Sequence, residues 1–249
     1  MQHVMVSNLS STNEGGVPIY SVLDQRRVRG DVFVDGILGD SGRQTYPSAG
    51  SLWHGGVGYP FGGDEGMRVT VDVGSKTGNW SAIGISTQPP PTVDLFAAWI
   101  EHEPEDGAFP AIVYSVFPGT NYNEFMTNSV VLRHRLKTLK NDGDVSAVYD
   151  EKEEVFMGVF WDTGGGSVVF EAEGSTSVTV AVDGNVVVIY RLRTGEVTVA
   201  DPGQSLGMVT VTVSIGEGYR PQQWNVQDQT LAFSLPNGGV AGSSVTLST

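Results

Sequence analysis

The feature that most limits the fold is a pair of apolar runs that flank an acidic loop. The first run, VDLFAAWI, covers residues 93–100, and the second, AIVYSVF, covers residues 111–117. Each run has the length of a buried strand and is too short for a buried helix. The loop between them is EHEPEDG, residues 101–107. The two runs therefore predict two buried strands of one sheet.

A third strand is predicted just before this pair. Residues 80–85 alternate between larger and smaller side chains, and the three prolines at 89–91 then stop the strand, because proline has no N–H to donate to a ladder. The segment from 76 to 120 is thus expected to form a β-meander. We expect Trp80 and Trp99 to anchor its core.

Composition favours an all-β chain of two domains. The 249 residues include 33 glycines and no cysteine, and Val/Thr runs recur between glycine-containing turns. The missing cysteines exclude disulfides and thiolate metal sites and leave the compartment open. We place the boundary at the glycine run and predict an antiparallel β-sandwich at 1–163 and a smaller β-sandwich at 164–249.

Local patterns add details to this outline. Residues 123–139 are the segment with helical character, and residues 41–52 are polar enough to predict an irregular loop. Asp35-Gly36 and Asp183-Gly184 are pairs typical of tight hairpin turns. Asn8 and Asn79 each begin an Asn-x-Ser sequence that fits the glycosylation pattern.

The net charge restricts the partners. There are 28 acidic and 14 basic residues, so the formal charge is −14. Nucleic acid and anionic membrane are therefore not expected as partners, since polyanion binding depends on clustered Lys and Arg. The same reasoning disfavours an anionic polysaccharide, unless the basic residues are gathered in one place. No run of about 20 apolar residues predicts a transmembrane helix.

Two groups of residues are candidates for binding a sugar. Half of the basic residues fall into two clusters, namely Arg26, Arg27 and Arg29, and Arg133, Arg135, Lys137 and Lys140. Either cluster fits an acidic sugar, although arginines also occur where domains dock. Aromatic side chains at 53–61 offer flat faces for sugar rings, whereas burial in the core is expected for Trp99 and Trp161. The predicted carbohydrate-binding residues are Arg26, Arg27, Trp53, His54, Tyr59, Arg133 and Arg135.

The sequence gives little support for a metal site or for a catalytic site. The acidic loop at 101–107 has oxygens for a hard cation, but its spacing matches no calcium loop, and a solvated turn is the preferred interpretation. There is no GxSxG motif, and the glycine-rich stretch 62–66 lacks the lysine of a phosphate loop. Paired carboxylates are too common in this chain to be informative. We predict no catalytic residue, no metal and no cofactor.

Several stretches in a fixed order resemble the β-rich part of the family 8 polysaccharide lyases, the group of hyaluronate, chondroitin AC and xanthan lyases. The stretches that carry the resemblance are VLDQRR (22–27), WHGGVGYPF (53–61), KTGNWSAIG (76–84), LFAAWIEH (95–102), IVYSVFPGT (112–120), SAVYDEKEEVFMGVFW (146–161) and VTVADPGQ (197–204). The resemblance implies the second half of a galactose-mutarotase-like super-sandwich followed by the C-terminal β-sandwich. It also implies an extracellular location, although the first residues have no signal-peptide pattern.

The resemblance also implies what is missing. The α/α toroid that carries the family's catalytic Asn, His, Tyr and Arg is expected to be absent, as is the Asn-Gly-Glu-Asn motif that faces the substrate. The sequence departs from the family at 101–114, where Phe109 and Tyr114 only partly replace a Tyr-x-Tyr pair. No catalytic role is therefore transferred to any residue here.

Three hypotheses follow. The first is a non-catalytic β-sandwich protein that binds a polysaccharide or has a structural role. The second is one piece of an active lyase that needs the missing toroid, and the third is an independent lectin-like protein. Half a super-sandwich would leave strand edges open, so a second copy or a rearranged loop is expected to cover residues 3–9 or 19–28.

Overall fold

The computed structural model describes residues 1–11, 17–62, 66–85, 87–105, 107–172, 176–216 and 228–248. Side chains at 129, 130 and 132–134 are not described. The chain divides into two compact units, Met1–Arg133 and His134–Thr249. Both units are built from antiparallel sheets, as the all-β prediction requires.

The described residues of the first unit form two antiparallel sheets. Its strands are β1 Gln2–Val6, β2 Ile19–Arg27, β3 Val32–Val34, β4 Ile37–Leu38, β5 Gly42–Ala49, β6 Ser51–His54, β7 Val57–Pro60, β8 Met67–Thr77, β9 Thr92–His102 and β10 Ile112–Pro118. One sheet has the order β1-β10-β7-β6-β3-β4 and the other has the order β2-β9-β8-β5. Strands β1 and β2 thus lie at sheet edges among the described strands.

Alternating side chains from both sheets fill the core of the first unit. The buried apolar residues are Val32, Val34, Ala49, Leu52, Tyr59, Phe61, Val69, Val71, Phe96, Ala98 and Ile100. Phe96, Ala98 and Ile100 are alternate residues of β9, so every second side chain of that strand enters the core. The predicted apolar strand at 93–100 is therefore present, with one face in the core. The second apolar run forms β10 in the other sheet, so the predicted β-meander of strands in one sheet is wrong.

The helix that the sequence predicts at 123–139 is present as α1, Tyr122–Arg135. Asn121 caps it, because its Oδ1 accepts a hydrogen bond of 2.9 Å from the backbone N–H of Glu124. Phe125 is buried next to Gly58, where no β-carbon stands in the way of its ring. That contact attaches the helix to the hairpin of β6 and β7.

In the second unit, the part of the chain that the structure describes also forms two antiparallel sheets. Its strands are β11 Leu136–Asn141, β12 Val145–Asp150, β13 Val155–Phe160, β14 Gly166–Ala172, β15 Thr176–Val182, β16 Val187–Arg191, β17 Glu196–Ala200, β18 Met208–Ile215, β19 Asp228–Ser234 and β20 Val245–Leu247. The orders are β11-β12-β13-β16-β17-β20 and β14-β15-β18-β19. Phe170 contacts the rings of Tyr149 and Phe156, at centroid distances of 4.9 and 5.5 Å, and so joins the two sheets in the core.

The division between the units differs from the predicted boundary at 163 and 164. The structure divides the chain at Arg133 and His134, thirty residues earlier. The reason is strand pairing, because β13 pairs with β16 along residues 155–159, which places both sides of the glycine run in one sheet. A glycine run therefore marks a turn here, and the helix marks the division.

Several local predictions need correction. Residues 80–85 do not form a strand: Trp80–Ala82 is a 3₁₀ turn, and the side chain of Trp80 is 50% exposed, so it does not anchor the core. Trp161 is 57% exposed and is not buried either. Most of residues 41–52, predicted to be irregular, lie in β5 and in the first half of β6.

The two predicted hairpin turns have opposite outcomes. Asp35 and Gly36 connect β3 and β4 with φ values of +51° and +78°, as a tight hairpin turn requires. Asp183 and Gly184 follow β15 and precede β16, but these strands belong to different sheets. At that point the chain crosses from one sheet to the other, so the hairpin prediction is wrong.

Candidate functional site

A chain of polar contacts lies on the inner side of β2. The hydroxyl of Tyr59 donates a hydrogen bond of 3.0 Å to Oδ2 of Asp24, and Arg26 forms an ion pair of 2.7 Å with the same oxygen. Tyr59 is only 3% exposed. Burial first, and then the negative charge of Asp24, raise the pKa of the Tyr59 hydroxyl well above its ordinary value. Tyr59 therefore acts as a neutral hydrogen-bond donor that holds a carboxylate.

His54 continues this chain of contacts. Arg26 donates a hydrogen bond of 2.8 Å to the backbone carbonyl of His54, and the backbone N–H of Arg29 donates one of 3.1 Å to Nε2 of the imidazole. The imidazole is fully buried and packs on Phe96 at a centroid distance of 4.1 Å. Burial, followed by the nearby Arg26 charge, lowers the pKa of His54 to about 4. The ring is thus neutral at physiological pH and joins β2 to β6.

These contacts change the interpretation of three predicted binding residues. Arg26, His54 and Tyr59 are bonded to one another or to Asp24. Two of them, His54 and Tyr59, are buried. Stacking on a sugar ring needs an open aromatic face, so these two do not form the predicted platform. A sequence pattern of aromatics between glycines does not distinguish an exposed platform from a packed turn.

Trp53 belongs to an aromatic cluster that holds helix α1. Its ring lies 6.1 Å from that of Phe33 and 5.7 Å from that of Tyr122, and its Nε1–H donates a hydrogen bond of 3.3 Å to the carbonyl of Thr120. Phe33 and Tyr122 stack at 4.0 Å. The immediate role of Trp53 is therefore to pack the helix onto the sheet.

In the second predicted cluster, Arg135 is held by two acidic side chains. Arg135 donates hydrogen bonds of 3.1 and 2.9 Å to the carboxylate of Asp150 and forms an ion pair of 3.4 Å with Glu153. The Asp150 side chain is buried, which raises its pKa, but the Arg135 hydrogen bonds and charge, together with the backbone N–H groups of Glu153 and Lys152, lower it overall. The side chain of Arg133 lies outside the described residues.

Two serine–histidine pairs also occur, and each links neighbouring strands. Ser21 Oγ lies 2.7 Å from Nε2 of His102, and Ser115 Oγ lies 2.8 Å from Nδ1 of His3. Burial lowers the pKa of both histidines, so they are neutral. His3 and Ser115 are register partners of β1 and β10, and His102 and Ser21 belong to the paired strands β9 and β2. These pairs fit cross-strand hydrogen bonds within the sandwich.

The described residues of the acidic loop show no arrangement for a cation. Glu105 and Ala108 exchange backbone hydrogen bonds of 2.7 and 2.9 Å across a narrow turn. Asp106 lies outside the described residues. Among the residues that the structure describes, no group of three or more His, Cys, Asp or Glu side chains is placed to hold a metal ion.

An exposed polar and aromatic surface lies on the side of the β2-β9-β8-β5 sheet that faces away from the core. Because alternate residues of β9 enter the core, its remaining side chains, including Trp99, point outward, so the prediction that Trp99 anchors the core is wrong. Tyr20 meets Trp99 edge to face at 6.0 Å, and the guanidinium of Arg43 lies over the Trp99 ring at 5.3 Å. We call this surface the outer face; its aromatic and charged members are Tyr20, Arg27, Arg43, Arg68, Asp72, Lys76, Trp99, Glu101 and Glu103.

Only Arg27 of the outer face was among the predicted site residues. It is exposed and pairs in register with Leu95 of β9. The run VDLFAAWI conceals the outer face, because a nearly continuous apolar run suggests burial on both sides. The sequence signal that indicates the outer face is the alternation of Phe96, Ala98 and Ile100 with smaller or amphipathic residues.

No helix in the part of the chain that the structure describes is long and apolar enough to cross a membrane. Comparison with curated protein sequences found no match. Solved structures of several lyases share the fold, among them the following three. A chondroitinase AC lyase described in enzyme–oligosaccharide complexes aligns with a TM-score of 0.74 and 22% identity, over 92% of this chain and 32% of its own.

The other two are also lyases. A Paenibacillus xanthan lyase aligns with a TM-score of 0.73 and 17% identity, over 99% of this chain and 25% of its own. The Streptomyces coelicolor A3 chondroitin AC lyase in complex with chondroitin sulphate aligns with a TM-score of 0.60 and 21% identity, over 94% of this chain and 30% of its own. The chain thus spans a quarter to a third of the length of these lyases.

Family profiles cover both units. The super-sandwich domain of polysaccharide lyase family 8 matches residues 2–129, and the C-terminal β-sandwich domain of the same family matches residues 137–210. The two matches occur in the order that the sequence resemblance implies, and the first alone covers more than half of the chain. The chain therefore belongs to polysaccharide lyase family 8.

Proposed function

We propose that this chain is a non-catalytic β-sandwich module of a polysaccharide lyase. The module binds polysaccharide or has a structural role, and it does not cleave polysaccharide by itself. The observation that carries the proposal is the chain of contacts from Tyr59 through Asp24 and Arg26 to His54. The side chains that would be the best candidates for acid–base chemistry are used there to hold strands together.

The chemistry of β-elimination explains why this observation matters. A base must remove the proton next to a uronate carboxylate, and nearby groups must neutralise that carboxylate. A base has to reach the substrate proton directly or through one water. Burial lowers the pKa of the three described histidines His3, His54 and His102, and each is hydrogen-bonded to a neighbouring strand or segment. None of them meets the requirement of an open position beside a substrate.

A second candidate function is supported by the partial coverage of the lyases. This chain spans 25–32% of the lyases described above, so these lyases contain much more chain than the sandwich units. In this alternative the module contributes to cleavage together with a separate catalytic toroid. An extracellular location, where such polysaccharides occur, belongs to both proposals.

One assay tests both. Hyaluronan, chondroitin and xanthan are each incubated with the purified chain, and absorbance is followed in the ultraviolet band of unsaturated uronates. We expect no increase with the chain alone, and an increase would overturn the non-catalytic proposal. The chain is then added to the isolated toroid of a chondroitin AC lyase, and a rate above that of the toroid alone would favour the second candidate.

A further inference from the structure

The outer face combines exposed aromatic and aliphatic surface. Tyr20 is 47% exposed and Val22 is 64% exposed, and both lie on β2 beside β9. Val22 pairs in register with Trp99, and the Tyr20 ring meets the Trp99 ring edge to face. Rings held this way present apolar area with a polar hydroxyl at its border, which suits the mixed apolar and polar faces of a pyranose. The contact also fixes the two rings relative to one another before a ligand arrives.

The charge of the outer face differs from that of the whole chain. It has four basic residues, Arg27, Arg43, Arg68 and Lys76, against three acidic ones, Asp72, Glu101 and Glu103. The whole chain has twice as many acidic as basic residues. The face therefore carries a small excess of positive charge, although the protein as a whole is acidic. Such a local field favours a partner of negative charge.

The arrangement of these cations leaves them accessible. The Arg43 side chain is 68% exposed and reaches Asp72 at 3.4 Å, while Lys76 contacts both oxygens of Asp72 at 2.9 and 3.0 Å. The hydrogen bond from Lys76, together with the Arg43 charge, lowers the pKa of Asp72 despite burial, so this acid stays ionised. Arg27 is exposed and has no acidic partner among the described residues.

We propose that the outer face binds an anionic oligosaccharide, with Tyr20 and Trp99 against a sugar ring and Arg43 and Arg27 on its carboxylate or sulfate groups. The inference rests on the proposed function and gives that module a ligand surface. Arginine suits the role because its planar donors match carboxylate and sulfate oxygens. The small net positive charge of the face favours an anionic ligand over a second copy docked by the same face, because the second copy would carry net charge of the same sign.

Calorimetric titration with hyaluronan and chondroitin sulfate oligosaccharides tests the proposal, with malto-oligosaccharide as a neutral probe. Hyaluronan supplies carboxylates alone, whereas chondroitin sulfate adds sulfates, so the two probes distinguish the anionic groups. We expect both to bind, the neutral probe not to bind, and added salt to weaken binding.

Two variants locate the site. Tyr20→Ala and Arg43→Gln should each weaken binding about fivefold, which corresponds to about 1 kcal/mol of binding free energy. Their matched controls are Trp161→Ala and Arg191→Gln, an exposed aromatic and an exposed, ion-paired arginine of the second unit. The controls should bind as the unaltered chain does. Because Tyr20 and Arg43 are exposed, circular dichroism and melting temperature should show that both variants remain folded.

Each contrary result overturns the proposal. The outer-face assignment fails if neither anionic probe binds, if the neutral probe binds equally well, or if the control variants weaken binding as much as the outer-face variants. A dimer seen by sedimentation and broken by Tyr20→Ala, without glycan binding, would identify a second copy as the occupant instead. None of these results changes the ultraviolet assay, so the proposed function is judged separately.

Discussion

Replacing Tyr59 by Phe tests whether the contact with Asp24 stabilises the first unit. The substitution keeps the buried ring and removes one hydroxyl, which donates a hydrogen bond of 3.0 Å to a carboxylate. A hydrogen bond to a charged group contributes about 1.5–3 kcal/mol, and Asp24 keeps its ion pair with Arg26 in the variant. We therefore expect Tyr59→Phe to lower the free energy of unfolding by about 1.5–3 kcal/mol at neutral pH.

The pH dependence makes this prediction sharper. Burial and the Asp24 charge raise the pKa of Tyr59 in the folded state, whereas an unfolded tyrosine ionises near its ordinary value of 10.0. Above that pH the unfolded chain releases a proton that the folded chain retains, so the stability due to Tyr59 falls as pH rises. Phenylalanine has no proton to release. The advantage of the unaltered chain over Tyr59→Phe should hold from neutral pH to about pH 9 and shrink by about pH 11.

Urea denaturation at about pH 7, 9 and 11 measures both effects. The matched control is Tyr46→Phe, because Tyr46 donates a hydrogen bond of 2.7 Å to the neutral amide oxygen of Gln44. A bond to a neutral acceptor contributes about 0.5–1.5 kcal/mol, so the control should lose less stability. The reasoning is refuted if both variants lose the same amount at neutral pH, or if the Tyr59→Phe difference stays constant through pH 11.

Two further predictions concern the same unit. Gly58→Ala would place its β-carbon 2.2 Å from a ring carbon of Phe125, so thermal melts should show that the free energy of unfolding falls by about 1–3 kcal/mol. The control is Gly74→Ala in β8, because no atom lies within 4 Å of the β-carbon at that position. Equal losses in the two glycine variants would contradict the packing argument. The pKa of His54 is lowered to about 4, so its ring resonances should not shift between neutral pH and about pH 5, and stability should fall as pH drops below the ordinary value of 6.5. An NMR titration midpoint near 6.5 would be inconsistent with the buried position.

Strand alternation predicts the core of the first unit well. The sequence MRVTVDV places Val69 and Val71 on one face, and both are buried. It also places Thr70 and Asp72 on the opposite face, yet these too are buried. Local periodicity shows which side chains face the core, but it does not show that Arg43 and Lys76, among others, cover the other side.

Burial at the aromatic stretch 53–61 depends on contacts distant in sequence. Tyr59 is bonded to Asp24, 35 residues away, and His54 accepts from the backbone of Arg29, 25 residues away. Nothing within the stretch itself indicates these partners. Trp80 shows the opposite error. Its neighbours have the alternating pattern of a strand, but the chain forms a turn there, between the end of β8 and the start of β9. Both errors arise because burial is decided by the tertiary fold.

The arginines show most clearly why a linear cluster is a poor guide to a binding surface on a β protein. Successive side chains of a strand point to opposite faces of the sheet, so neighbours in sequence are separated by the sheet itself. Arg26 points inward to Asp24 and the His54 carbonyl, while Arg27 is exposed on the other side. Residues on neighbouring strands with the same orientation come together instead, and in this way Arg27, Arg43 and Lys76 reach one face. A net charge of −14 argues against an anionic ligand only if charge is spread evenly, and on this sheet it is not.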